Sequence, residues 1–94
     1  MINDLLDELD GRLLRITLAH PILELEILKI KKHTTYALEH DRDPKGRPLN
    51  KNKTLHDAVT RTLEMVRKHP ELKEYVKPVV KKAVAYLEPG TPVS

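Results

Sequence analysis

Residues 22–40, ILELEILKIKKHTTYALEH, decide the fold, because they can be read in two ways. As a helix, Leu23, Ile27, Ile30, Thr34, Ala37 and Leu38 share one stripe, with Leu25, Leu28 and Tyr36 outside it. As a strand, Leu23-Glu24-Leu25-Glu26-Ile27 alternates with period two, and Leu28-Lys29-Ile30-Lys31 resumes after a slip of one residue. Ile and Thr favour a strand. The length of the unbroken pattern favours a helix, as does Pro21 at its first position. The helix reading prevails and makes the chain all-α; the alternative is α+β, with one or two strands within residues 22–38. A helix with two apolar faces sits at the centre of a bundle or between copies of a chain. Leu25, Leu28 and Tyr36 are therefore the candidate oligomer contacts.

Upstream, Ile2, Leu5, Leu6, Leu9, Leu13 and Ile16 follow i, i+3, i+4 spacing and predict a helix over about 2–18. Asp4, Asp7 and Glu8 fall in its first turns, where the helix dipole favours acids. Pro21 ends it, because a proline has no N–H and disfavours helical geometry at the residue before it. Downstream, residues 41–53, DRDPKGRPLNKNK, read as a basic loop. Thr54 then reads as an N-cap with Asp57 as its partner, and Leu55, Val59, Thr62, Leu63 and Val66 give a helix face over 54–68. Pro70 opens a last helix over 70–88, with Leu72, Val76, Val79, Val80, Ala83 and Leu87 on its apolar side and Pro78 on the opposite, polar side. The expectation is one helical domain over 1–90 with a frayed tail at 91–94. No internal repeat is evident.

Composition narrows the function. The chain has 94 residues, no Cys, no Trp and no Phe. Disulfides, thiolate catalysis and Cys-based zinc sites are excluded. Ser94 is the single serine, and the three glycines are isolated, so neither a serine nucleophile nor a Gly-rich phosphate loop is expected. The richness in Lys, Glu and Arg and the lack of Gln suggest a thermophile, archaeal or viral. No apolar run reaches the ~20 residues of a membrane span, and the acidic start lacks a basic leader, so a cytoplasmic protein is expected.

Charge is divided by position. Residues 1–28 carry six acids against two bases, while residues 29–94 carry fifteen bases against eight acids. Such asymmetry points to an anionic partner, nucleic acid first. The candidate contacts are Lys29, Lys31 and Lys32, the loop bases Arg42, Lys45, Arg47, Lys51 and Lys53, and the row Lys73, Lys77 and Lys81. Lys and Arg reach phosphates without reading bases, so low sequence specificity is expected. The bases have no interleaved aromatic residues, which leaves single-strand stacking unsupported.

Other constellations carry less. His33 and His40 are two turns apart on a helix, about 10 Å, too far to share an ion, and no metal or cofactor is expected. Asp41-x-Asp43-x-Lys45-Gly46 imitates the opening of a calcium loop but places Lys at its fifth position and Asn52 at its twelfth, and reads as a turn. Arg15-x4-His20 has the form of the HEPN ribonuclease motif. Five residues advance about 500° on a helix, so the two side chains would face apart. No catalytic residue is assigned.

The order of elements, a long first helix, a loop holding Asp43-Pro44, a short second helix and a third to the end, resembles the small all-helical chorismate mutases. Local similarities are Asp10-x-x-Leu13-Leu14, Lys29-Ile30-Lys31-Lys32, Asp43-Pro44 with Arg47, and Tyr75-Val76-Lys77. The resemblance implies a dicarboxylate site built from several arginines and a lysine. Lys31 stands where that lysine would be. Asn3 and His20 stand where arginines would be, and Pro21 interrupts the long helix.

Three functions are thus expected in order: an accessory protein on nucleic acid, a helical oligomerisation or adaptor protein forming a homodimer or binding another protein, and a mutase-like fold.

Overall fold

The computed structural model describes residues 1–87. It is all-α. Helix α1 spans Ile2–Ala19, α2 spans Glu24–Glu39, α3 spans Lys51–Lys68 and α4 spans Lys73–Leu87. Short 3-10 turns, Pro21–Leu23 and Pro70–Leu72, join α1 to α2 and α3 to α4. Among the described residues there is no strand, only an isolated bridge between Arg42 and Pro48. The ambiguous stretch is helical because its helical stripe is the one that gets covered: Leu23, Ile27, Ile30, Thr34 and Ala37 are all buried. No helix among the described residues is long and apolar enough to cross a membrane.

Contrary to the sequence reading, the chain is an internal repeat. Residues i and i+49 play the same part. His20-Pro21-Ile22-Leu23 returns as His69-Pro70-Glu71-Leu72. The two histidines close their helices with matching backbones, φ −133°, ψ 74° at His20 and φ −131°, ψ 75° at His69. Each accepts a hydrogen bond from the amide of the leucine three residues on, 3.0 Å in both cases. The cause is local: proline forces the preceding residue out of the helix, and its own fixed φ suits the start of a new turn. Leu6, Leu9, Leu13, Ile16, Leu23, Ile27, Ile30 and Thr34 are buried, and so are their counterparts Leu55, Ala58, Thr62, Met65, Leu72, Val76, Val79 and Ala83. The molecule is two helical hairpins of one plan.

The hairpins pack into one core. Both α2 and α4 lie against α1, and α3 lies against α2 and α4. Glu8 pairs with Lys82 at 3.2 Å, and His20 meets Tyr75 edge-on at 6.1 Å, so α1 and α4 run in opposite senses.

The start of α3 differs from expectation. Helix α3 begins at Lys51, because Asn50 is its cap and accepts a hydrogen bond from the Lys53 amide at 3.0 Å. Thr54 lies inside the helix, with its hydroxyl donating to the Asn50 carbonyl. Residues 51–53 carry no apolar signal, which is why they read as loop. Leu63, expected on the covered face of α3, is 43% exposed; Ala58 and Met65 fill the core instead. Helix α4 runs through Pro78, which faces solvent, where the carbonyl left without a donor can be hydrated. The expected end of the fourth segment at Glu88, Pro89 and Gly90 and the tail 91–94 lie outside the described residues. The long first helix that a mutase layout implies is absent, since α1 stops at Ala19.

The connection between the hairpins is a folded turn. The Asp43 carboxylate accepts hydrogen bonds from the amides of Lys45 and Arg47, both at 2.9 Å. Gly46 takes φ 84°, a region that favours glycine, and its carbonyl accepts from the Arg42 guanidinium. The Tyr36 hydroxyl donates to the Arg42 carbonyl, and its ring stacks on His40 at 4.1 Å.

Candidate functional site

The eleven candidate bases fall in three places. The turn holds Arg42, Lys45 and Arg47, with Lys53 just beyond it on the exposed side of α3. Lys32 joins this end of the molecule, in a hollow shared with Tyr36, Pro44 and Leu49. Lys29 lies at the α2–α3 seam beside Glu26 and Glu64, with Arg61 and Lys68. Lys73, Lys77 and Lys81 lie together across the molecule's last seam. Three of the eleven are engaged: Lys31 pairs with Asp10 at 3.5 Å, Lys51 pairs with Asp41 at 3.4 Å and donates to Asn3 at 2.9 Å, and Arg42 donates to the Gly46 carbonyl at 2.8 Å. Among the described residues, no carboxylate lies within ion-pairing distance of the nine bases other than Lys31 and Lys51.

The last of these places is a built feature. Lys73, Lys77 and Lys81 of α4 and Arg67 of α3 border an open groove of about 550 Å³ between the two helices, floored by Leu63, Val66, Val76 and Val80. Among the described residues, no acid lines it. The i, i+4, i+8 spacing of the lysines was legible in the sequence. The contribution of Arg67 was not, because it depends on α3 folding back over α4.

The first hairpin presents something else. Leu14 (47%), Leu18 (74%), Ile22 (93%), Leu25 (76%) and Leu28 (50%) are exposed. The repeat places three of them on one face. Leu63, Arg67 and Lys77 line one groove across α3 and α4; their counterparts are Leu14, Leu18 and Leu28, which therefore share the outer side of the α1–α2 seam. Ile22 and Leu25 complete the patch at the corner. Leu25 and Leu28 were candidate contacts from sequence. Leu14, Leu18 and Ile22 were missed, although Leu14 and Leu18 sit one turn apart off the covered stripe of α1, the signal that would have found them. Tyr36 is placed at the far end of α2, half-buried against the turn.

Between α1 and α2 lies a polar clasp. The half-buried Asp10 carboxylate accepts hydrogen bonds from the Thr34 hydroxyl at 3.1 Å and the Thr35 hydroxyl at 3.2 Å, and faces the Lys31 ammonium. The Lys31 side chain is 17% exposed. It ties α2 to α1, since both carboxylate oxygens of Asp10 are directed at the neighbouring helix. On the α2–α3 side, His33, Thr54, Asp57 and Arg61 line a small notch of about 140 Å³. Among the described residues, no three His, Asp or Glu gather as a metal site would need.

The fold and these faces define a class: a tandem pair of helical hairpins with one apolar corner and one basic groove. Compared with known protein families, curated proteins and solved structures, the chain matches none.

Proposed function

We propose that this chain is a non-catalytic helical assembly module that pairs with a second copy of itself through the α1–α2 corner. The observation that carries this reading is the exposed set Leu14, Leu18, Ile22, Leu25 and Leu28. All five are about half exposed or more, and large aliphatic residues gathered in the open in this way mark an interaction surface. An apolar patch is complementary to itself, as a two-fold interface requires. The second hairpin supports the reading by contrast. At the positions matching Leu18, Ile22, Leu25 and Leu28 it carries Arg67, Glu71, Glu74 and Lys77, so the scaffold itself does not require leucine there.

Sedimentation equilibrium tests it. The natural chain is expected at twice its 10.8 kDa mass at tens of micromolar. A variant carrying Leu18→Arg, Ile22→Glu, Leu25→Glu and Leu28→Lys is expected at the monomer mass with unchanged helicity. A monomeric natural chain, or a variant that still pairs, overturns the reading.

Contact with a nucleic-acid backbone is the second reading. What supports it is that nine candidate bases have no carboxylate within ion-pairing distance among the described residues, together with the sequence pI of 9.2. Their division among three places argues against a single phosphate track. It predicts binding to DNA or RNA at low salt with little base preference and a steep loss as salt rises.

A further inference from the structure

We infer that the α3–α4 groove is a docking site for an acidic amphipathic helix of a partner protein. The argument joins two properties of one place. The rim is cationic from both sides, with Arg67 on α3 and Lys73, Lys77 and Lys81 on α4, and among the described residues no acid lines the groove. The floor is apolar, and Leu63 stands 43% exposed on it, with Val80 half-buried beside it. A phosphate chain uses the rim and leaves the floor bare, gaining nothing from Leu63. A solvated lysine row needs no floor at all. A helix with leucines on one face and acids on its flanks satisfies both, because its leucines leave water against Leu63 and Val80 while its carboxylates meet the rim.

Spacing agrees. The three lysines advance about 6 Å per step along α4, the same rise that separates acids at i, i+4 and i+8 of a partner helix. The electrostatic share governs partner choice and association rate, and the apolar share governs residence.

The inference stands whether or not the chain dimerises, and the two are tested apart. The probe is a fluorescein-labelled 18-residue helix with leucines on one face and glutamates elsewhere, read by fluorescence anisotropy at low salt. Micromolar binding is expected, weakened about tenfold by Lys77→Glu with Lys81→Glu and by Leu63→Glu alone. The corner variant described above is expected to bind the probe as the natural chain does. Four outcomes overturn the proposal. One is no binding at a hundred micromolar. Another is full affinity in Leu63→Glu, which leaves charge attraction only. The third is displacement of the probe by a 20-base-pair duplex or a single-stranded RNA, which assigns the groove to nucleic acid. Loss of binding in the corner variant would place the probe on α1–α2 and sink the groove as well.

Discussion

At Asp10 the first hairpin holds a carboxylate between its helices; 49 residues on, the second holds Val59. The rest of the clasp follows suit. Lys31, Thr34 and Thr35 correspond to Val80, Ala83 and Val84. On the outer side the chemistry is reversed, with leucine and isoleucine in the first hairpin and arginine, glutamate and lysine in the second. One backbone plan therefore tolerates polarity inside the seam with an apolar outside, or the converse. What both copies keep is the buried stripe and the His-Pro-x-Leu corner, the features that the backbone itself needs.

The clasp offers the largest break of this symmetry. Asp10→Ala leaves a nearly buried ammonium without its partner and strips an acceptor from two hydroxyls. The expected loss is about 2 kcal/mol in urea unfolding. Writing the second hairpin's residues into the first, as Asp10→Val with Lys31→Val, Thr34→Ala and Thr35→Val, removes all the polar partners at once. That variant is expected within about 1 kcal/mol of the natural chain, since a polar network replaced whole by apolar groups is often neutral. If the fourfold variant is less stable than Asp10→Ala, the two seams are not interchangeable.

The helix starts differ next. Asn50 caps α3 through its side chain, while the matching residue of α1, Met1, makes no side-chain cap bond. Asn50→Ala should cost about 1 kcal/mol, a fall of roughly 4–8 °C in thermal unfolding followed by circular dichroism. An unchanged midpoint would mean the cap hydrogen bond contributes nothing beyond solvation.

The smallest expected effect lies at the glycines. A side chain at Gly11 meets nothing within 4 Å, and its counterpart is Thr60. Gly11→Ala is expected to stabilise by about 0.5–1 kcal/mol, by reducing the freedom of the unfolded chain. Gly46→Ala has equal space but a φ of 84°, and is expected to destabilise by about 1 kcal/mol. The opposite signs, read in one denaturant series, separate conformational strain from steric fit.

Much of the fold was legible because burial follows period. The stripes Leu23–Ala37 and Leu72–Ala83 repeat at helical spacing, and prolines mark the corners. The repeat was missed because identity between the halves is thin outside His-Pro-x-Leu; what recurs is burial at matching positions, which a residue-by-residue comparison does not weigh. The start of α3 was missed because a capping asparagine followed by Lys-Asn-Lys looks the same in a loop as on an exposed first turn. Of the candidate faces, the lysine row was readable from α4 alone. The groove and the corner each need two helices side by side, and no local pattern states which neighbours meet.

From its residues alone this chain was cysteine-free, basic after its first third and helical outside residues 22–38, because periodicity, composition and charge are properties of a string; that the ambiguous stretch is a helix was settled by the stripe that folding covers. Folding decided which leucines face water and which lysines share a groove. A side chain outside the covered stripe can be a lone exposed residue or part of a patch, and only the packing of α1 on α2 and α3 on α4 distinguishes the two.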